Sequence, residues 1–152
     1  MMINDVLSLL GATDNERLLI IGVRATLEPT EIAGLERQPN VSCISELASL
    51  EDLPSDLGGV TLALLLFGAD AEIDDLSVQL LGRLRDSGVA RVAVNDPQSV
   101  LTVSEMLALG YVAAPGASGR IFLHDPDEFF SRREWNNARH WANPENFKRY
   151  RW

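Results

Sequence analysis

Seven residues stand where apolar runs end: Gly22, Arg24, Glu46, Gly68, Asp70, Asn95 and Asp96. Gly22 and Arg24 close Leu18–Val23, and Glu46 follows Val41–Ser45. Gly68 and Asp70 close Val60–Phe67, and Asn95 and Asp96 close Val89–Val94. In open α/β sheets a ligand binds beyond the carboxyl ends of the strands, where the winding reverses. The seven residues therefore outline a candidate cleft, with glycines that permit close backbone approach. A helix starting near Pro29 adds a positive dipole end suited to a carboxylate or phosphate. Each residue also has a plainer reading. Asp70 and Asp96 serve as turn formers or caps, Glu46 sits in a helix's first turn, and Arg24 pairs with a neighbouring acid. No Ser–His–Asp constellation is visible. His124 and His140 lie sixteen residues apart with no Cys or carboxylate at ligand spacing, so no metal site is expected. Cys43, the single cysteine, lies between apolar neighbours and reads as a buried structural thiol.

The elements that must position these residues follow from Val60–Phe67, an almost unbroken apolar run between Gly58-Gly59 and Gly68-Ala69-Asp70. A strand with one wet face alternates, and this one offers no polar face, so it is expected at the centre of a parallel sheet covered on both sides. Leu18–Val23 reads as the first strand and Val41–Ser45 as a shorter second. Ile3, Val6, Leu7 and Leu10 have helical spacing. A helix from Pro29 ends before Pro39, and Glu46 to Leu53 makes a further turn or two. Ile73, Leu76, Leu80, Leu81 and Leu84 trace one helical face, with Asp74 and Asp75 at its positive end and Gly88 as its stop. Thr102-Val103-Ser104-Glu105 has the reciprocal capping pattern. Tyr111–Ala114 and Arg120–Leu123, joined through Pro115–Gly119, close the chain as a hairpin. Repeated alternation of strand and helix specifies a three-layer α/β sandwich, mostly parallel, ending in an antiparallel hairpin.

At 152 residues with 46% hydrophobic and 23% charged, the chain has the size and composition of one globular domain. No apolar run approaches the ~20 residues a bilayer requires, and Met1–Asp5 lacks a signal-peptide pattern, so a cytoplasmic protein is expected. The net charge of −9 is unevenly spread. Residues 131–152 hold six basic side chains against two acidic (+4), and residues 1–130 hold seven against twenty (−13). The acidic body repels nucleic acid and acidic membranes. The tail also holds five of the ten aromatics, including all three tryptophans. Asp125 and Pro126 have the pattern of a helix start, so 126–152 reads as a helical C-terminal extension on a 1–125 domain. Trp135, Arg139, Trp141, Tyr150 and Trp152 are the candidate partner-binding residues, for a protein or a second copy. Single-stranded nucleic acid is a lesser alternative. In the plainest reading these aromatics pack on the domain itself.

The sequence of helix, Leu109-Gly110-Tyr111 and hairpin resembles the last third of a class I S-adenosylmethionine-dependent methyltransferase. In that resemblance Leu18–Val23 is the first strand, Val60–Phe67 the fourth, and Glu46 the acidic residue that holds the cofactor ribose. The likeness covers residues 18–124 and implies a Rossmann-like domain. The family's first strand runs into a G-x-G-x-G loop; here Gly22-Val23-Arg24-Ala25-Thr26 keeps only the first glycine. The short span from Ser45 to Val60 also omits one edge strand. The whole chain, with its Trp-rich ending, further resembles a small uncharacterised bacterial family that brings no activity with it. These features together imply a non-catalytic methyltransferase-like domain that acts by binding or assembly and uses no cofactor. The alternative is a small working methyltransferase that binds S-adenosylmethionine through an atypical loop.

Overall fold

A computed structural model describes residues 3–24, 28–68, 74–97, 99–114 and 120–127. Its elements are α1 (Ile3–Leu9), β1 (Leu18–Val23), α2 (Pro29–Glu36), β2 (Val41–Ile44), β3 (Leu62–Phe67), α3 (Asp75–Asp86), β4 (Arg91–Asn95), α4 (Val103–Ala108), β5 (Val112–Ala113) and β6 (Ile121–His124). The six strands form one mixed, mostly parallel sheet in the order β2-β1-β3-β4-β6-β5. β2, β1, β3 and β4 run parallel, whereas β6 is antiparallel to both of its neighbours.

β3 is buried along its whole length, and its side chains divide between two cores. Ala63, Leu65 and Phe67 join a core with Leu80, Leu81 and Leu84 of α3 and Met106 of α4. Leu62, Leu64 and Leu66 join another with Ile3 and Val6 of α1 and Leu35 of α2. An apolar run without alternation is what a strand covered on both faces requires.

Local chemistry sets where the elements start and stop. Asp74 caps α3 by accepting from the Ser77 backbone N–H at 2.8 Å. Gly88, just beyond the helix, takes φ +86, where a side chain would be strained. Thr102 and Glu105 form the expected reciprocal box at α4.

Several boundaries differ from the sequence reading. β3 starts at Leu62, because Val60 closes a turn onto Leu57 and Thr61 bonds to the Arg17 carbonyl. The segment 46–53 forms only the 3₁₀ turn Leu50–Asp52. There the Asp52 carboxylate accepts from Ala48 and Ser49, and Pro54 follows closely. Tyr111 precedes β5 and is fully buried, its hydroxyl donating to the Leu81 carbonyl at 2.8 Å. The partner of β4 is β6, so the last strand in sequence lies inside the sheet and β5 forms the edge. Residues 115–119, expected to turn the hairpin, lie outside the described residues, as does the extension from 128 onwards. Asp125 accepts from the Asp127 N–H at 3.1 Å, as a helix-starting residue does. No helix among the described residues is long and apolar enough to cross a membrane.

Candidate functional site

From β1 the sheet continues to β2 on one side and to β3 and β4 on the other, so the winding reverses between β1 and β3. Gly22 is buried in β1 opposite Leu66, and its carbonyl accepts from the Leu47 N–H at 2.9 Å. That bond brings the chain after β2, with exposed Glu46, against the end of β1. Gly68 donates to the Val23 carbonyl at 3.0 Å and so begins its turn beside the same strand. Gly22, Arg24, Glu46 and Gly68 therefore border one region at the carboxyl end of the sheet. Asp70 lies outside the described residues.

Arg24 is the first residue past β1 and has φ +48, a left-handed conformation that glycine adopts without cost. Its guanidinium lies 3.6 Å from the Asp74 carboxylate, with both side chains partly exposed. Asp74 also accepts from the Ser77 backbone N–H and hydroxyl, each at 2.8 Å. Those two bonds lower the Asp74 pKa below the usual carboxylate value, and the Arg24 charge adds to the effect. The positive end of α3 thus has a carboxylate of the protein's own, and Arg24 reaches from the end of β1 to that carboxylate.

Asp96 faces the other way. It is wholly buried and accepts from the Val100 and Leu101 N–H groups at 2.8 and 3.0 Å. Its own N–H donates to the Arg120 carbonyl at 2.9 Å, and its carboxylate lies 3.6 Å from the Arg120 guanidinium. Arg120 also donates to the Leu101 carbonyl and lies 5.2 Å over the Phe122 ring. This network, buried at Asp96, holds the loop after β4 against β6, so Asp96 serves as a turn former; the cap of α4 is Thr102. Asn95 is half-buried within β4 and pairs with Leu66 and Ile121.

Cys43 is half-buried in β2, not sealed in the core, and packs at the edge of the α1-side cluster. Burial, followed by the nearby Glu36 charge, pushes its thiol pKa up, the direction that suppresses nucleophilic thiolate. Among the described residues no group of three His, Cys, Asp or Glu side chains could hold a metal ion. Trp135, Arg139, Trp141, Tyr150, Trp152 and His140 lie outside the described residues.

The chain belongs to a family of unknown function, DUF6231. The family model matches residues 2–152, so body and tail form one family unit. No curated protein and no solved structure matches it.

Two partners in these networks were not apparent from sequence. Asp74 was legible as a helix-end charge but not as the partner of Arg24, because the two are fifty residues apart. Arg120 carried no signal at all, since its link to Asp96 depends on β6 pairing with β4.

Proposed function

We propose that the DUF6231 domain is a Rossmann-like three-layer sandwich of methyltransferase type that acts by binding or assembly and does not catalyse methyl transfer. Two apolar cores on opposite faces, a winding reversal beside the first strand and an antiparallel final strand support the architecture. The observation that carries the functional reading is Arg24. It keeps the left-handed backbone of a glycine while extending a side chain to Asp74 across the reversal point. In dinucleotide-type sites a glycine is needed there so that backbone can approach the cofactor. A guanidinium stem occupies that approach, and the Asp74 carboxylate it reaches caps the neighbouring helix α3. The described residues therefore do not fit S-adenosylmethionine.

One feature favours the alternative of a working methyltransferase with an atypical loop. The φ of +48 at Arg24 retains the shape of a glycine turn, as an atypical cofactor loop would. Isothermal calorimetry of the full chain with S-adenosylmethionine and its demethylated product separates the two readings. Absence of binding is expected. Micromolar affinity for either compound overturns the reading without a cofactor and promotes the alternative.

A further inference from the structure

The end of the sheet opposite the crevice carries an open groove of about 390 Å³ between α1, the loop before β1, and the start of β2. Partly buried Leu7, Ala12 and Val41 form its apolar floor and pack on the α1-side core. Its polar wall includes Asp14 and Glu16, and among the described residues neither Lys nor Arg lines it. A second hollow of about 320 Å³, which adds Glu31, adjoins it through the shared residues Asn4 and Gln38. The result is an acidic, amide-rich trough with a greasy floor.

We propose that this trough is the seat of the chain's own C-terminal segment, residues 128–152, which docks there through its basic and aromatic side chains. The position of the described chain end is the first argument. β6 is antiparallel to β4, with His124 opposite Val92, so β6 ends at the amino end of the sheet, where the trough also lies. Arg91, next to Val92, donates to the Leu10 carbonyl at 3.1 Å and to the Glu16 carboxylate at 2.7 Å. One side chain therefore joins the trough wall to the strand beside which β6 ends.

Length is the second argument. β6 and β1 are three strand spacings apart, about 14 Å at ~4.8 Å each. The 25 residues after Asp127 span about 37 Å even when fully helical. Charge is the third. Residues 128–152 carry six basic and three acidic side chains (+3), and residues 1–127 carry −12. Glu16 is already paired with Arg91, and Asp14 and Glu31 add further acidic groups to the trough. Side chains such as Trp, Tyr and Arg combine apolar area with polar edges, the combination a mixed trough accepts. The proposal does not rest on the crevice being closed, which concerns the other end of the sheet.

All three tryptophans lie in this segment, so intrinsic tryptophan fluorescence of the full-length protein reports on it alone. The decisive variant is Ser8→Arg with Asp14→Lys, which adds bulk and positive charge in the trough at exposed positions. Its control is Ser55→Arg with Glu51→Lys, the same charge change placed by the 3₁₀ turn far along the sequence from the trough. The expected result is a blue-shifted, poorly quenched emission in the unaltered protein. The trough variant should shift it to the red and increase acrylamide quenching, with far-ultraviolet circular dichroism unchanged, and the control should leave it alone. Water-exposed tryptophans in the unaltered protein would overturn the proposal. So would equal effects of the two variants, or no effect of the trough variant. A blue shift that vanishes on dilution would place the segment on a second copy and overturn docking within one chain.

Discussion

Removing a leucine from either face of β3 tests the account of the sheet most directly. Leu64 and Leu65 are 1% and 0% exposed and belong to the two different cores. Truncation to alanine deletes about three carbons, ~0.8 kcal/mol each by transfer, or roughly 2.4 kcal/mol. An unrelaxed cavity raises the cost toward ~5 kcal/mol. Leu65 is flanked in the sheet by Ile21 and Val94, stiff β-branched residues that move little to fill a void. Leu64 lies between Ile20 and the small Ala93. Both substitutions should cost ~2–5 kcal/mol, with Leu65→Ala at least as costly as Leu64→Ala. For a domain of this size, about 2–4 °C per kcal/mol gives a fall in melting temperature of roughly 4–20 °C. Urea unfolding followed by far-ultraviolet circular dichroism measures the loss, since tryptophan fluorescence reports the tail. Val112→Ala, at a position 45% exposed on the edge strand, is the comparison and should fall within about 0.5 kcal/mol. A loss below ~1 kcal/mol at both leucines would mean that β3 is not covered on both faces.

Asp74→Ala should cost ~0.5–2 kcal/mol by removing the cap of α3. Because the folded pKa of Asp74 is depressed, its contribution is present above the unfolded carboxylate pKa and is lost as pH falls through the folded value. Unfolding curves of wild type and variant should therefore converge in acid and separate at neutral pH; a constant gap would refute the linkage. Tyr111→Phe should cost ~1 kcal/mol, more if the Leu81 carbonyl is left unpaired. Burial raises the Tyr111 pKa far above its usual value, so its contribution is complete below the unfolded pKa of ~10 and is lost as pH climbs toward the folded one. Tyrosinate absorbance from Tyr111 should therefore appear only as the protein unfolds in alkali, and early titration in the folded state would contradict this.

The strands were legible because each is a short apolar run bounded by glycine, proline or acid, and β3 could be placed at the centre because it has no polar face. The caps at Asp74 and Thr102 were legible because a cap is local, fixed by residues three apart. What sequence could not provide was partnership across the sheet. The insertion of β6 between β4 and β5 depends on pairing between segments about thirty residues apart, and no local pattern encodes that choice. The Asp96–Arg120 network followed the same pairing and was hidden with it. Of the turn or two expected at 46–53, one forms, the 3₁₀ turn Leu50–Asp52, because the Ser49–Asp52 box closes it after three residues. At the carboxyl end of the sheet, residue type indicated position along the chain but not orientation: Asp96 faces inward, Glu46 is exposed, and Arg24 reaches Asp74.

The strength of the Arg24–Asp74 contact determines how the crevice should be probed. At 3.6 Å, with the two side chains 50% and 38% exposed, the pair is worth only about 0–1 kcal/mol. A lock that weak cannot by itself exclude a ligand, because even millimolar affinity corresponds to ~4 kcal/mol. Under the proposed reading, exclusion comes from the bulk of the Arg24 side chain, which no rearrangement of charges removes. Breaking the pair from the Asp74 side would leave that bulk in place and should open nothing. Arg24→Gly removes bulk and charge together and relieves the left-handed strain at φ +48. Of the two substitutions, only the one at Arg24 bears on whether the rest of the crevice still has the shape of a cofactor site.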